Sequence, residues 1–303
     1  MSGFLKFPTD VYIEPTNDCN LSCIMCPRKK SRKAVGYMSF ELFRDVVDQL
    51  SCRNIAQLSL HLAGEPLLHP RITEMVAYAK GHGLRRVRFA TNATLLNENL
   101  ARDLIEAGLD SLTVSMDASC AKRYCPGLSG NELISNLDQK IVGLIALRNQ
   151  RGLEYPEVHM RIINMESTQD LIGDFVQRWE GVADRVTVKP LLSWAGHIKV
   201  PGKEPTRRLI CISHLTQGVV LWDGDVSFCC LYIDSEGDGA AVIGNAARTS
   251  LEDIFLSERR RVLIEAQLRG NYDVAPYCRE CPDWNEYLDW GRAEKRPVAG
   301  VEA

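Results

Sequence analysis

The chain has 303 residues, of which 45% are hydrophobic and 25% charged, with a net charge of −3 at neutral pH. This composition is typical of a globular protein with one large or two smaller domains and a sizeable core. The pI of about 6.1 predicts no nucleic-acid partner, because such a partner requires a broad basic surface.

No apolar segment of the sequence is long enough to span a membrane, and the N-terminus lacks the apolar stretch of a signal peptide. Eleven cysteines without a secretory signal favour metal or redox chemistry over a disulfide framework. We therefore expect a cytoplasmic protein without a membrane partner.

Short β-like runs alternate with helical patterns up to about residue 191. Ser39 is predicted to cap a helix that runs through Leu50, and Asn97 a helix that stops at Gly108. Six β-then-α units favour an α/β fold, a parallel sheet with helices outside, whose functional residues gather at the strands' carboxyl ends. The predicted strands are Val11–Glu14, Leu58–Leu62, Arg86–Ala90, Leu112–Met116, Val158–Ile163 and Arg185–Lys189.

The pattern changes after Leu191, where residues 196–206 have a linker composition. A β-hairpin is predicted from Gly218 to Cys229, with a type I′ turn at Asp223-Gly224. An amphipathic helix capped by Ser250 follows and is predicted to end at Gly270. The residues after 292 are expected to fray.

Three cysteines, Cys19, Cys23 and Cys26, have the spacing C-x₃-C-x₂-C on a loop directly after the first predicted strand. A structural zinc site closes with four ligands, whereas a [4Fe–4S] cluster held by three cysteines leaves one iron open to another ligand. The spacing alone leaves a zinc site with a distant fourth ligand as the alternative.

Four more cysteines, Cys211, Cys229, Cys278 and Cys281, fall in the C-terminal part. Four thiolates can close around zinc or around a second iron–sulfur cluster. The number of ligands does not separate these two readings.

The run CNLSCIMC, the strand end Ala63-Gly64-Glu65-Pro66 and the pair Thr91-Asn92 resemble the motifs of radical S-adenosylmethionine (SAM) enzymes. The resemblance implies a partial (β/α)₆ TIM-type barrel over residues 1–195, with one [4Fe–4S] cluster that binds SAM. The second cysteine group resembles the truncated SPASM, or twitch, extension. It implies a small α+β domain over residues 196–292, with a β-hairpin, a helix and one auxiliary [4Fe–4S] cluster, and a flexible tail over 293–303.

The same resemblance assigns the SAM site and an electron donor of flavodoxin or ferredoxin type. Met25 would lie against the adenine, and the Ala63 segment, which departs from the family's GGE motif at its first position, would hold the SAM amino group. The expected SAM-binding residues are Met25, Ala63, Gly64, Glu65, Thr91, Asn92, Ser115 and Arg161.

In this family the reduced cluster and SAM generate a 5′-deoxyadenosyl radical that removes a hydrogen atom from the substrate. Cys230 adjoins Cys229 in a predicted strand, and neighbouring strand residues point to opposite faces. We therefore predict that Cys230 faces the barrel mouth and returns a hydrogen atom with inversion; the alternative is a small buried hydrophobe. Cys120 and Cys125 are second-choice donors.

The chain resembles both aminoglycoside epimerases and aminocyclitol dehydrogenases in size and cysteine layout. With Cys230 as the hydrogen-atom donor, the expected reaction is epimerisation of an aminoglycoside or amino-sugar natural product, as in antibiotic biosynthesis. Glu14 and Asp117 would face the cationic small-molecule substrate, although Glu14 could equally be structural. Three alternatives stay open: an aminocyclitol dehydrogenase that passes an electron to the auxiliary cluster, a peptide-modifying maturase and a non-enzymatic iron–sulfur or zinc scaffold. The first strand starts within a dozen residues of Met1, which leaves no N-terminal room for a leader-peptide-binding domain and weakens the maturase reading.

Overall fold

A computed structural model describes residues 5–116, 118–127, 136–203, 210–279 and 281–285. Within these residues, nine strands form one sheet in the order β6-β5-β4-β3-β2-β1-β7-β8-β9. The strands are β1 (Asp10–Ile13), β2 (Gln57–Ser59), β3 (Val87–Thr91), β4 (Ser111–Val114), β5 (Glu157–Asn164), β6 (Arg185–Pro190), β7 (Gln217–Val220), β8 (Asp225–Ser227) and β9 (Val242–Asn245).

Helices separate the first six strands and flank the last three. They are α1 (Phe40–Ser51), α2 (Ile72–Gly81), α3 (Glu98–Glu106), α4 (Ala118–Tyr124), α5 (Leu137–Gln150), α6 (Ile172–Trp179), α7 (Ile212–Thr216), α8 (Leu251–Phe255), α9 (Glu258–Leu268) and α10 (Pro276–Arg279). Short 3₁₀ turns cover Pro27–Lys30, Pro66–Leu68, Gln169–Leu171 and Asp283–Asn285. None of the helices that the structure describes is long and apolar enough to cross a membrane.

The first six strands pair in parallel, and the predicted α/β fold is confirmed. The sheet then continues beyond the barrel. β7 pairs in parallel with the free side of β1, where Tyr12 lies opposite Val219, and β8 and β9 add an antiparallel meander. The region with the second cysteine group is therefore hydrogen-bonded directly to the first barrel strand.

Along β5, the alternation of buried and half-buried residues separates the side that packs in the core from the side that faces the barrel lumen. On β5, Val158, Met160 and Ile162 are buried in the main core. The side chains of the residues between them point to the opposite face of the sheet, because side chains alternate along a strand. Arg161 and Ile163 therefore line a cavity inside the barrel.

The predicted helix caps at Ser39 and Asn97 are confirmed. Each side chain accepts a hydrogen bond from the backbone N–H three residues later, at 3.1 Å for Ser39 and 3.0 Å for Asn97. Gly108 follows α3 with φ +81°, a backbone conformation that glycine adopts without steric cost. Local sequence signals were sufficient here because a cap depends on near neighbours only.

Three local predictions were wrong. The turn between β7 and β8 is not type I′, because Gly224 has a positive φ (+88°) and Asp223 does not. The helix capped by Ser250 is two helices, since Ser257 interrupts it and caps α9 through a hydrogen bond from the Arg260 N–H at 3.2 Å. β8 ends at Ser227, so Cys229 does not lie in a strand.

Candidate iron–sulfur and SAM site

The loop with the first three cysteines lies between β1 and the Pro27–Lys30 turn, and all three thiols are half-buried. The Arg28 guanidinium donates to the backbone carbonyls of Cys19 at 3.2 Å and Leu21 at 3.3 Å. A backbone hydrogen bond of 3.1 Å from Cys26 N–H to Cys23 C=O closes the turn between the last two cysteines. Arg28 therefore holds the shape of the cysteine loop.

The end of β2 contacts this loop through Gly64. A Cβ atom at Gly64 would lie 2.1 Å from the carbonyl oxygen of Thr16 and 2.6 Å from that of Asp18. The next residue, Glu65, donates its N–H to Asp18 C=O at 2.7 Å. Only a glycine allows the two backbones to approach this closely, so Gly64 acts on the cysteine loop itself.

The Glu65 carboxylate is 2% exposed and accepts three hydrogen bonds from the protein. Its oxygens accept hydrogen bonds from Thr91 Oγ1 at 2.6 Å, Asn92 N–H at 2.8 Å and Leu67 N–H at 3.0 Å. These bonds tie the end of β2 to the end of β3. In this structure the carboxylate braces the two strand ends.

Asn92 connects the end of β3 to the cysteine loop. Its side-chain amide donates to Asn20 Oδ1 at 2.9 Å and lies 4.0 Å from Cys19 Sγ. Its Oδ1 accepts from Thr94 Oγ1 at 2.7 Å. Contact of Glu65, Thr91 and Asn92 with SAM stays a prediction, and what the geometry adds is their link to the loop.

A cavity of about 290 Å³, here called the lumen cavity, lies inside the barrel beside the cysteine loop. It brings together residues that are far apart in the sequence: residues of the cysteine loop, of the segments directly after β4 and β8, and of β5. Its lining includes Cys23, Met25, Cys26, Ser115, Arg161 and Cys230. Of the predicted SAM-binding residues, Met25, Ser115 and Arg161 therefore reach one space next to two of the three cysteines.

The other four cysteines converge around a second cavity. Cys211, Cys229, Cys278 and Cys281 all line it. Gln267 supports them from α9: its side-chain N–H groups lie 3.3 Å from Cys278 Sγ and 2.7 Å from His214 Nδ1. A hydrogen bond from Gln267 to the sulfur of a predicted ligand was not foreseen, since no sequence signal distinguishes that glutamine.

Cys229 and Cys230 were predicted to point apart as strand neighbours, and that reason is wrong. β8 ends because Ser227 forms a local turn, in which its Oγ donates to Cys229 C=O at 2.9 Å. Cys230 nevertheless lines the lumen cavity as well as the edge of the four-cysteine cavity. It is 8% exposed.

Glu14, directly after β1, faces a third cavity of about 250 Å³, here called the Glu14 cavity. It is lined by Glu14, Asn17, Arg28, Lys29, Lys33, Leu62, Ala63, Tyr232 and Asp234, among others. Leu62 lines the lumen cavity too, so the two cavities share a wall. The predicted SAM residue Ala63 thus lies beside Glu14, to which it donates its N–H at 3.3 Å.

Burial raises the pKa of the Glu14 carboxyl to about 7, and the backbone hydrogen bonds from Ala63 and Trp222 only partly oppose this. Two of the cations that line this cavity, Lys33 and Arg28, are engaged elsewhere. Lys33 pairs with Asp223 at 2.5 Å and Asp225 at 2.7 Å, and Arg28 holds the cysteine loop. The second predicted carboxylate, Asp117, lies outside the described residues.

The donor sets fit iron–sulfur clusters. Burial raises the pKa of Cys19, Cys26 and Cys229, so their thiolates need the positive charge that iron supplies. Among the described residues, no three Cys, His, Asp or Glu side chains converge closely enough to hold a single metal ion. A [4Fe–4S] cluster binds each cysteine through a separate iron atom, so its ligands need not converge on one point.

The fold and the two cysteine sites define an α/β barrel protein with two iron–sulfur centres. Residues 13–137 match the radical SAM superfamily, and residues 211–282 match the SPASM iron–sulfur cluster-binding domain. The chain is a radical SAM enzyme with an auxiliary cluster domain. Its cofactors are SAM and [4Fe–4S] clusters, for which Cys19, Cys23 and Cys26 are the candidate ligands in the first domain and the four C-terminal cysteines in the second.

Several known proteins resemble the chain over most of its length. The tungsten-containing aldehyde ferredoxin oxidoreductase cofactor-modifying protein of Pyrococcus furiosus is 25% identical, over 89% of this chain and 86% of its own. A probable GTP 3′,8-cyclase of Methanothermobacter marburgensis is also 25% identical, over 82% of this chain and 93% of its own. The crystal structure of BtrN in complex with AdoMet and 2-DOIA has a TM-score of 0.60 at 20% identity, covering 91% of this chain and 93% of that chain. At this identity the likeness shows the fold.

Proposed function

We propose that the enzyme epimerises a carbon of an amino sugar or aminocyclitol, with the Cys230 thiol as hydrogen-atom donor. One observation carries this proposal: Cys230 lines the same cavity as Cys23, Met25 and Cys26. An electron carrier of flavodoxin or ferredoxin type supplies the reducing electron in this proposal.

When bound, the reduced cluster and SAM supply the radical that removes one hydrogen atom from the substrate. The protein's part is to return a hydrogen atom to the opposite face of the same carbon. The S–H bond of Cys230 breaks and a C–H bond forms, which leaves a thiyl radical on Cys230. One electron from the same carrier and one proton from solvent regenerate the thiol before the next turnover.

The wall of the lumen cavity supports this role for Cys230. Tyr12 and Leu231 pack around the thiol in a small apolar cluster, and the thiol is nearly buried. A buried thiol in apolar surroundings stays protonated, and a hydrogen-atom donor must carry its hydrogen. The adjoining residue, Cys229, lies among the four auxiliary cysteines.

Glu14 supports an ammonium-bearing substrate. Its carboxyl is 3% exposed and is contacted by two N–H donors at the long distances of 3.3 Å and 3.5 Å. A carboxylate has about four acceptor positions, so capacity remains for a substrate amine. Because the Glu14 cavity adjoins the lumen cavity at Leu62, an amino sugar bound there could extend towards Cys230.

Dehydrogenation is the second candidate, and the closeness of the auxiliary cysteines to Cys230 favours it. In that reaction the first electron leaves the substrate with the abstracted hydrogen atom. The substrate radical then loses a proton and passes one electron to the auxiliary cluster, and the product is a ketone or aldehyde. BtrN, which shares the fold, was crystallised with AdoMet and 2-DOIA.

A turnover assay in D₂O separates the two candidates. The anaerobically purified enzyme is incubated with SAM, a reductant and a panel of aminoglycosides and aminocyclitols. Epimerisation predicts an inverted product with one solvent deuterium at the inverted carbon, because a thiol exchanges with solvent. Dehydrogenation predicts a product two mass units lighter than the substrate.

Cys230→Ala tests the donor itself. We expect 5′-deoxyadenosine formation to continue while inversion is lost, and a dehydrogenated product to appear. Cys52→Ala, at an exposed cysteine, is the matched control and should epimerise like the parent enzyme. Unchanged inversion by Cys230→Ala removes that thiol from the mechanism.

A further inference from the structure

The first domain contains a buried cysteine that is not a predicted cluster ligand and contacts one. Cys125 follows α4 and is 4% exposed. Its Sγ lies 3.5 Å from Sγ of Cys23, within hydrogen-bond distance for two sulfur atoms. The sequence placed Cys125 only as a second-choice hydrogen-atom donor, on account of the strand that precedes it.

Several backbone contacts hold the two sulfurs in this position. Ile24 donates its N–H to Tyr124 C=O at 2.8 Å, which joins the cysteine loop to the end of α4. The Tyr124 hydroxyl accepts a hydrogen bond from Ile163 N–H at 2.8 Å, which joins the same helix to β5. Cys125 is also hydrogen-bonded to the backbone of Ser22. The contact is therefore part of a fixed packing arrangement between three elements.

The direction of this hydrogen bond follows from ligation. A cysteine bound to iron is a thiolate and carries no proton. Once Cys23 binds the cluster, the only proton available between the two sulfurs is that of Cys125. We infer that Cys125 donates an S–H···S hydrogen bond to the iron-bound sulfur of Cys23 and raises the reduction potential of the SAM-binding cluster.

The effect on the potential follows from charge. Reduction adds one negative charge to the cluster, and a hydrogen-bond donor to a ligand sulfur stabilises the more negative state more strongly. Asn92 is the other side-chain donor near a ligand of this cluster among the described residues, but its amide lies 4.0 Å from Cys19 Sγ and is already bonded to Asn20. Cys125 is therefore the closer contact. The inference concerns how readily the cluster takes up an electron and does not depend on the proposed epimerisation.

Redox titration of the anaerobic holoenzyme, followed by electron paramagnetic resonance, tests the inference. The SAM-binding cluster is recognised by the change in its signal when SAM is added. For Cys125→Ala we expect the ratio of reduced to oxidised cluster at a given potential to fall about tenfold, which is a shift of 59 mV for one electron. Cys125→Ser keeps a proton donor and should recover most of this shift.

Cys120→Ala is the matched control, because Cys120 is a buried cysteine on α4, the helix that directly precedes Cys125; it should leave the potential unchanged. An unchanged potential in a fully loaded Cys125→Ala enzyme overturns the inference. So does a shift that Cys125→Ser does not reverse, since packing would then be the cause.

If Cys125→Ala cannot retain the cluster, Cys125→Val, which fills the volume, replaces it. Cluster loss from both variants with retention in Cys125→Ser supports a required donor, whereas loss from all three overturns it.

Discussion

Gly64→Ala perturbs the contact between the end of β2 and the cysteine loop. The added Cβ would lie 2.1 Å from Thr16 O, whereas real contacts of this kind stay beyond 3.0 Å, so the two backbones must separate by roughly 1 Å. Overpacking of this kind typically costs about 1–3 kcal/mol. Loss of the hydrogen bond from Glu65 N–H to Asp18 C=O adds about 1 kcal/mol. We therefore expect the free energy of unfolding to fall by about 2–4 kcal/mol.

The same separation displaces the loop that carries Cys19, so we also expect loss of the SAM-binding cluster. Guanidinium unfolding under anaerobic conditions measures the stability, and iron analysis measures the clusters. Iron should fall from about eight to about four atoms per chain, since four auxiliary cysteines remain. The matched control is Gly143→Ala, because Gly143 lies within α5 and a Cβ there meets nothing within 4 Å.

The control should keep about eight iron atoms and gain about 0.5–1 kcal/mol of stability, because alanine is favoured over glycine inside a helix. A Gly64→Ala enzyme that retains both its iron and its unfolding midpoint would refute the reasoning. In that case the backbone near Thr16 would move at little cost in free energy to accommodate the added Cβ atom, and Gly64 would be needed only to let SAM approach.

Three further predictions concern the Glu14 cavity and the cavity lined by the four C-terminal cysteines. Because the pKa of Glu14 is raised to about 7, its carboxyl ionises between pH 6 and 8, and affinity for an amino-sugar substrate should rise over that interval. In Glu14→Gln the affinity should not change with pH in this way. Calorimetry, or KM measured against pH, checks this. Protonation of Glu14 stabilises the fold most fully below 4.5, the pKa of the unfolded state, and this contribution is lost as pH rises through 7. At pH 8 the free energy of unfolding of Glu14→Gln, measured with denaturant, should therefore exceed that of the parent by up to about 3 kcal/mol. At pH 4 the two proteins should be equally stable. Cys278→Ser should lower iron from about eight to about four atoms per chain while SAM cleavage persists, whereas Cys52→Ser should keep about eight; unchanged iron in Cys278→Ser contradicts its role as a ligand.

Much of the fold was predictable because its signals are local. The six strands appear close to their predicted positions, and β6 begins at Arg185 as expected. The caps at Ser39 and Asn97 were confirmed, since each depends on residues one turn away. The extent of the sheet was not predictable. The pairing of β7 with β1 joins residues more than 200 positions apart, and no short pattern encodes such a contact.

The site divides in the same way. The sequence by itself determined the number and spacing of the cysteines, and the resemblance of the CNLSCIMC run and the strand-end motifs to radical SAM enzymes indicated the class of cofactor, because each of these motifs lies within a few consecutive residues. Tertiary structure alone decided that Cys125 lies 3.5 Å from Cys23 and that Glu65 braces β3 through Thr91 and Asn92. It also brought Cys230 to the lumen cavity although its strand ends early. These contacts join distant segments, and they form only when the whole barrel packs around them.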